Sequence, residues 1–138
     1  MKILILNGPN LNLTGKRETE LYGTLLFDDY LVELRDRFPG LDISYYQSNV
    51  EGEIINKMQV ANLEFDALIL NAGAYTHTSV AIGDTVRSME IPVIEVHISN
   101  IFSRETFRHT SYIAPYCQGS ISGFGLDSYR LALGYFRK

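Results

Sequence analysis

Apolar residues follow two alternating patterns along the chain, one typical of strands and one typical of helices. Short continuous apolar runs, which mark strands buried on both faces, occur at 2–7, 67–70 and 92–98. The segment at 41–45 alternates like a strand, and 119–123 carries a weaker strand pattern. The apolar pattern therefore predicts five strands.

Apolar residues spaced three or four positions apart predict helices between and after these strands. The helical stripes lie at 27–38, from about 51 onward, at 79–89 and at 126–136. Pro39 should end the first helix, and Thr78 is predicted to be the N-cap of the third. One further helical turn is expected in the polar loop at 104–109.

The order of these elements predicts the fold class. Strands that alternate with helices build right-handed crossovers, which give a parallel sheet with helices on both faces. Five strands in 138 residues predict a flavodoxin-like, three-layer α/β sandwich with the strand order 2-1-3-4-5. We expect residues 1–138 to form this single domain, because 46% hydrophobic residues are enough for a sizeable core.

Charge and cysteine content narrow the possible partners and location. The formal net charge of −4 argues against a general nucleic-acid binder, although a few local arginines could still hold a small anion. The single cysteine, Cys117, cannot form an internal disulfide, and no Cys/His cluster has zinc-ligand spacing. The first apolar run is too short for a signal peptide or a membrane span, so we expect a cytoplasmic protein without membrane contacts.

Polar side chains gather where the predicted strands end, which is where open parallel sheets bind ligands. Asn7 follows the first strand, Asn71 follows the third, and His97 with Ser99 ends the fourth. The loops beyond them add Asn10, Asn12, Arg17, Tyr22, Tyr75, His77, Arg104 and Arg108. Turn formation explains Asn7 and Asn10 better than chemistry does, whereas for Asn12 the two explanations are balanced.

Glu95 and His97 form the candidate pair with the clearest chemical meaning. They are two residues apart on a predicted strand, so their side chains point to the same face. A carboxylate among Val and Ile residues is costly to bury unless it is paired. A Glu–His pair solves that problem and suits the imidazole to act as an acid near neutral pH. A purely structural ion pair explains the same spacing equally well.

Two loops carry further candidate groups. Arg17 and Tyr22 share the loop after the first strand, where a guanidinium would favour the phenolate and so make tyrosine a usable base. From the sequence alone, two exposed loop residues are the better explanation. His77 stands just before a helix N-terminus, which would lower the pKa of an imidazole there, and a loop hydrogen bond is its alternative role.

Missing motifs exclude several function classes. The sequence has no G-x-x-x-x-G-K-[ST] loop of a nucleotide hydrolase and no correctly spaced G-x-G-x-x-G of a dinucleotide-binding protein. A phospho-receiver of this fold would need an aspartate where Asn71 stands. The three histidines lack metal-ligand spacing.

Six motifs, in this order, resemble those of the type II 3-dehydroquinate dehydratases. They are 7–13 (NGPNLNL), 15–18 with 22–23 (GKRE and YG), 47–49 with 51–52 (QSN and EG), 73–79 (GAYTHTS), 95–100 (EVHISN) and 107–112 (FRHTSY). The similarity runs from residue 2 to about residue 134, and the shared order and separation of the motifs make it highly specific.

The resemblance implies a flavodoxin-like fold that binds no flavin and an enzyme that needs no metal or cofactor. Such enzymes remove water from 3-dehydroquinate by anti elimination through an enolate and release 3-dehydroshikimate. The reaction serves the shikimate pathway of aromatic amino acid biosynthesis or quinate catabolism. Family members usually assemble as trimers, four of which form a dodecamer.

The resemblance also implies roles for residues of this chain. Tyr22 would take the proton next to the ketone, helped by Arg17. His97, positioned by Glu95, would protonate the departing hydroxyl, and Asn12 would hold a water against the enolate oxygen. The implied substrate-binding residues are Asn71, His77, Asp84, Ile98 through its backbone, Ser99 and Arg108, with Asp84 acting across a subunit boundary.

Three positions depart from the family pattern. Val50 replaces a histidine, Thr19 replaces a proline, and Gly83 replaces a common arginine. None of these departures removes a residue assigned to catalysis. The alternative from a different class is a flavodoxin-like module that binds a small anion and catalyses nothing.

Overall fold

The computed structural model describes residues 1–13 and 26–137. Its strands are β1 (Lys2–Asn7), β2 (Asp42–Gln47), β3 (Ala67–Asn71), β4 (Val93–His97) and β5 (Gly119–Ser122). The α-helices in these ranges are α1 (Phe27–Arg37), α2 (Glu51–Glu64), α3 (Val80–Ser88) and α4 (Asp127–Phe136). Short 3-10 turns lie in the loops at Leu11–Leu13, Gly73–His77, Ile101–Ser103, Thr106–His109 and Ala114–Tyr116. None of the described helices is both long and apolar enough to cross a bilayer.

The five strands form one parallel sheet with the order β2-β1-β3-β4-β5, which confirms the predicted topology. The chain leaves β1 to form β2 on one side and later returns to form β3 on the other. The topological switch point therefore lies above the carboxyl ends of β1 and β3, where Asn7 and Asn71 are paired in register. The predicted site residues were placed at this same edge.

Alternating side chains of the strands fill two separate cores, one on each face of the sheet. Ile3 and Ile5 pack with residues of α1 and α4, whereas Leu4 and Leu6 pack with residues of α2 and α3. Each face is thus covered by a pair of helices. The predicted three-layer α/β sandwich is confirmed.

The third helix is capped one residue later than predicted. Ser79, not Thr78, is the N-cap of α3, and its Oγ accepts a hydrogen bond from the N–H of Ile82 at 2.9 Å. Thr78 instead closes the preceding 3-10 turn, where its N–H donates to the carbonyl of Tyr75. The prediction of Thr78 was wrong because the sequence does not reveal the extra turn that precedes the helix.

A buried hydrogen-bond network ties the switch point to the C-terminal helix. The hydroxyl of Tyr129 donates to Asn7 Oδ1 at 2.7 Å and accepts from Asn71 Nδ2 at 2.9 Å. Asn71 Oδ1 in turn accepts from the N–H of Gly73 at 3.1 Å, and Asn7 Nδ2 donates to the hydroxyl of Tyr45 at 3.3 Å. Both asparagines therefore serve the fold, and Asn7 does so by bridging elements instead of forming a turn.

Gly8 lets the chain turn sharply against β3 at this edge. Its N–H donates to the carbonyl of Asn71 at 2.7 Å, and a Cβ at this position would lie 2.5 Å from the carbonyl oxygen of Ala72. That contact is with backbone, so a side chain could be accommodated only by moving the two loops apart.

We expect Gly8→Ala to lower the free energy of unfolding by about 1–3 kcal/mol, which is the usual cost of overpacking. Gly134→Ala is the control, because nothing lies within 4 Å of a Cβ there and alanine favours the helix. It should be neutral or stabilise by up to about 1 kcal/mol. Urea denaturation of both variants measures the difference, and equal effects would contradict the steric argument.

Candidate active site

A solvent-open cleft of about 690 Å³ lies at the carboxyl ends of β1, β3 and β4. Its polar lining residues are Asn10, Asn71, His77, His97, Ser99, Arg104 and Arg108. The position and the lining both match the edge at which the sequence predicted a site.

Glu95 and His97 form the predicted pair at the end of β4. Both side chains are buried, and His97 Nε2 lies 3.0 Å from Glu95 Oε2, so the two form an ion pair when the imidazole is protonated. Burial acts to raise the pKa of the Glu95 carboxyl, but the neighbouring imidazole and two hydroxyl groups outweigh it and hold this pKa below its usual value. Glu95 is therefore a carboxylate at neutral pH.

The two hydroxyls on Glu95 come from outside β4. Ser111 Oγ donates to Glu95 Oε2 at 2.6 Å, and Ser120 Oγ donates to Glu95 Oε1 at 2.5 Å. The sequence analysis missed both serines. Ser120 could have been found, because it is the register partner of Glu95 in the predicted pairing of the last two strands. Ser111 belongs to the motif 107–112, but its place in an irregular loop gives no local signal that it contacts Glu95.

His77 lies beside His97 at the base of the cleft. Their rings stack with centroids 6.1 Å apart, and His77 Nδ1 lies 2.8 Å from the carbonyl oxygen of Thr110. Because a carbonyl only accepts, Nδ1 carries the proton and Nε2 of the neutral ring is an acceptor. Burial lowers the pKa of His77 most, and the nearby His97 and Arg108 add to the effect. The expected direction is confirmed, although the main cause is burial and not the helix N-terminus.

Two arginines make the cleft suitable for an anion. Arg104 Nη1 lies 3.5 Å from Ser99 Oγ, and Arg108 Nε pairs with the carboxylate of Glu105 three residues earlier. The sequence places Arg104 among the polar residues of the loops and indicates no specific role for it. The two guanidinium groups give this part of an acidic protein a local positive charge.

Residues 1–137 match the family described as dehydroquinase class II. The chain belongs to this family.

Relatives in the class II dehydroquinase family are similar over nearly their full length. The 3-dehydroquinate dehydratase of Caldicellulosiruptor bescii is 53% identical over 135 residues, which are 96% of this chain and 93% of that protein. That of Nitratiruptor sp. is 48% identical and covers 96% of this chain and 86% of its own length. The crystal structure of the type II dehydroquinase from Butyrivibrio crossotus is 45% identical, covers 100% of this chain and 98% of its own, and superimposes with a TM-score of 0.93.

The remaining residues that the class II dehydroquinase resemblance singled out are spread around the cleft. Asn71, Ile98 and Ser99 line it, although the amide of Asn71 already bonds Tyr129 and Gly73. The carbonyl of Ile98 accepts from the N–H of Gly125 at 3.0 Å, which orients the peptide at the end of β4.

Two of the expected residues lie away from His97, and two others lie outside the described residues. Asn12 is exposed in the turn Leu11–Leu13 and lines a neighbouring depression beside Tyr45. Asp84 is exposed on α3 and does not line the cleft. Arg17 and Tyr22 lie outside the described residues. Within the described ranges, no group of three or more His, Cys, Asp or Glu residues could hold a metal ion.

The low pKa of Glu95 gives the stability of the fold a defined pH dependence. Unfolded glutamate titrates at about 4.3, and the folded-state pKa lies below its usual value. The carboxylate therefore contributes stability above the unfolded pKa and loses it as the pH falls through the folded pKa.

The wild type should exceed Glu95→Gln in free energy of unfolding at about pH 6, and this difference should shrink below about pH 4. Urea denaturation across that range measures it. Glu33→Gln, at an exposed position of α1, is the control and should track the wild type. A gap between wild type and Glu95→Gln that widens on acidification would contradict the assigned direction.

Proposed function

We propose that this protein is a type II 3-dehydroquinate dehydratase. It removes water from 3-dehydroquinate by anti elimination through an enolate and releases 3-dehydroshikimate. The observation that carries this function is the buried Glu95–His97 pair beside two cleft arginines, in a chain that belongs to the class II dehydroquinase family. Relatives about half identical to it are named 3-dehydroquinate dehydratase.

His97 is the acid of the reaction. It donates its proton to the departing hydroxyl group of the substrate, which leaves as water. The Glu95 carboxylate at 3.0 Å stabilises the imidazolium before this transfer and orients its ring. The position of His97 at the wall of the cleft supports this role.

Tyr22 is the base that takes the proton next to the ketone, and Arg17 keeps its phenolate accessible and stabilises the transition state. The assignment rests on the family motif. The two ends of the segment that carries them support it, because Leu13 lines the cleft and Leu26 lines the adjoining depression. Asn12 lies at the same edge and holds a water against the developing enolate oxygen.

The substrate carboxylate is bound by Asn71, Ser99 and the backbone N–H of Ile98 at the ends of β3 and β4. Arg104 adds a positive charge beside Ser99. Arg108 and His77 hold the ring hydroxyls, and the lowered pKa of His77 suits its neutral ring to accept from a hydroxyl group. The resemblance to the family implies that the reaction needs no metal and no cofactor.

A module that only binds an anion is not favoured. Full-length similarity to enzymes of one activity argues against it. Adding 3-dehydroquinate and following the ultraviolet absorbance of the conjugated enone product separates the two. Unchanged absorbance would favour the binding module.

We also propose a pathway, a cellular compartment and an assembly for the enzyme. It acts in the shikimate pathway or in quinate catabolism, and a single cysteine suits the reducing cytoplasm. It assembles as a dodecamer built from four trimers, in which Asp84 completes the substrate pocket of a neighbouring subunit. The exposure of Asp84 in the single chain supports such a contact.

Tyr22→Phe should lower kcat for 3-dehydroquinate by about 10²–10⁴-fold, which is the usual contribution of a general base. The variant should keep its fold and most of its substrate binding, because the lost hydroxyl is assigned only to proton transfer. Circular dichroism and a substrate-binding measurement check this. Tyr116→Phe is the matched control, because Tyr116 is exposed and does not line the cleft. A Tyr22→Phe enzyme that keeps most of the wild-type rate would remove Tyr22 as the base.

Asp84→Ala should weaken both substrate binding and the trimer, because one partner of an interfacial charge pair typically contributes about 2–5 kcal/mol. Sedimentation velocity and steady-state kinetics measure the two effects. Asp36→Ala, at an exposed position on α1, is the control and should change neither. Unchanged mass together with an unchanged KM in Asp84→Ala would show that Asp84 is only a surface residue.

A further inference from the structure

The carboxylate of Glu95 is held at both of its oxygens. Oε2 faces His97 Nε2 at 3.0 Å and accepts from Ser111, while Oε1 accepts from Ser120. A carboxylate held at one oxygen can rotate about its last bond, whereas one held at both cannot do so without losing a hydrogen bond. The two hydroxyls therefore determine where Oε2 points.

The hydroxyl of Ser111 has only Glu95 Oε2 as an acceptor for its proton, because its lone pairs already accept two hydrogen bonds. Its Oγ already accepts from the N–H of Ala114 at 3.0 Å and from the N–H of Ile113 at 3.3 Å. A hydroxyl has two acceptor lone pairs and one proton, so the proton is left for Glu95 Oε2. This serine cannot accept from a protonated Glu95 without giving up a backbone contact.

The residue after Ser111, Tyr112, holds the loop in place through both its N–H and its carbonyl group. The N–H of Tyr112 donates to the carbonyl of Thr76 at 2.9 Å. The carbonyl of Tyr112 approaches α3 so closely that a Cβ at Gly83 would lie 2.5 Å from its oxygen. The glycine thus permits a loop position that brings Ser111 to Glu95.

Sheet register places the second hydroxyl. Ser120 of β5 is the register partner of Glu95 of β4, and neighbouring residues in parallel strands point to the same face. Ser122 is the partner of His97 in the same way. Ser120 therefore reaches Glu95 as long as β5 stays paired with β4.

A second cavity, separate from the substrate cleft, borders the Glu95 carboxylate. It opens to solvent and is lined by Glu95, His97, both serines and Ser122. Water entering from this side would solvate a carboxylate that rotated away from His97. The serine hydroxyls compete with that solvation.

We propose that Ser111 and Ser120 are positioning residues for His97, because their hydroxyls hold both oxygens of the Glu95 carboxylate and so keep it aimed at the imidazole. The proposal rests on the proposed dehydratase function, in which His97 protonates the leaving hydroxyl. Neither serine touches the substrate cleft. Their contribution therefore belongs to the chemical step and not to binding.

A mutant cycle through Glu95 tests the proposal in the full-length enzyme. Ser111→Ala and Ser120→Ala should each lower kcat by about tenfold, the usual effect of losing a hydrogen bond to a charged group. KM should stay within about twofold, since uniform binding is untouched. The alkaline limb of the kcat profile should move to lower pH, because a poorly aimed carboxylate stabilises the imidazolium less.

Other titratable and charged groups surround Glu95 and His97 and could also affect the pH profile of kcat. His77 and Arg108 face it from the cleft side, His109 lines the second cavity, and Cys117 lies near Glu95. None of these groups is changed in the serine variants. A shift in the alkaline limb therefore reports on the Glu95–His97 pair.

The same serine substitutions in a Glu95→Gln background should change kcat by less than about twofold, because the carboxylate they aim is gone. Ser120→Thr keeps the hydroxyl and should recover most of the rate lost in Ser120→Ala. Ser122→Ala is the control, since Ser122 lines the same cavity without a hydrogen bond to Glu95, and it should match the wild type.

Two outcomes would overturn the positioning role. One is an equal loss of kcat in the wild-type and Glu95→Gln backgrounds, and the other is a loss that appears in KM alone. Urea denaturation of each variant separates a folding defect from either result. A wild-type enzyme without dehydratase activity would contradict the proposed function itself, whereas an active wild type with unaffected serine variants would contradict only the positioning role.

Discussion

The rim of this sheet depends on keeping one carboxylate charged inside the protein. Glu95 is only 2% exposed, and burial by itself favours the neutral acid. The pKa is nevertheless held low by the imidazole of His97 and by the hydroxyls of Ser111 and Ser120. These partners come from β4, from the loop before the turn Ala114–Tyr116, and from β5. Movement of any of these elements would leave a buried charge without a partner, so the electrostatic requirement also fixes their relative positions.

The parallel sheet supplies the geometry for this arrangement. Register puts Ser120 opposite Glu95 and joins Asn7 to Asn71 at the switch point. The Tyr129 hydroxyl then bonds both asparagines, so α4 is tied to the strands that frame the cleft. Stabilising the fold and shaping the site are therefore done by the same buried polar groups. Replacing these polar groups would therefore lower the stability of the fold and also distort the cleft.

The cleft reconciles an acidic protein with an acidic substrate. The net charge is −4, yet Arg104 and Arg108 both line the cleft, and no Asp or Glu of the described residues does. Local field, not total charge, decides whether a small anion can bind. The stacked His77 adds a neutral acceptor, because burial and its positively charged neighbours disfavour its protonated form.

The sequence by itself determined the strands, the helices, their order in the sheet and the pairing of Glu95 with His97, because apolar periodicity and the two-residue spacing on a strand are local properties. It also led to the family, since motifs such as 95–100 are contiguous in the chain. Only the tertiary structure decided that Ser111 reaches Glu95 and that Ser79 caps α3 in place of Thr78. These contacts depend on how distant loops and short turns settle on the sheet, and no local pattern encodes the distance between residues that meet only after folding.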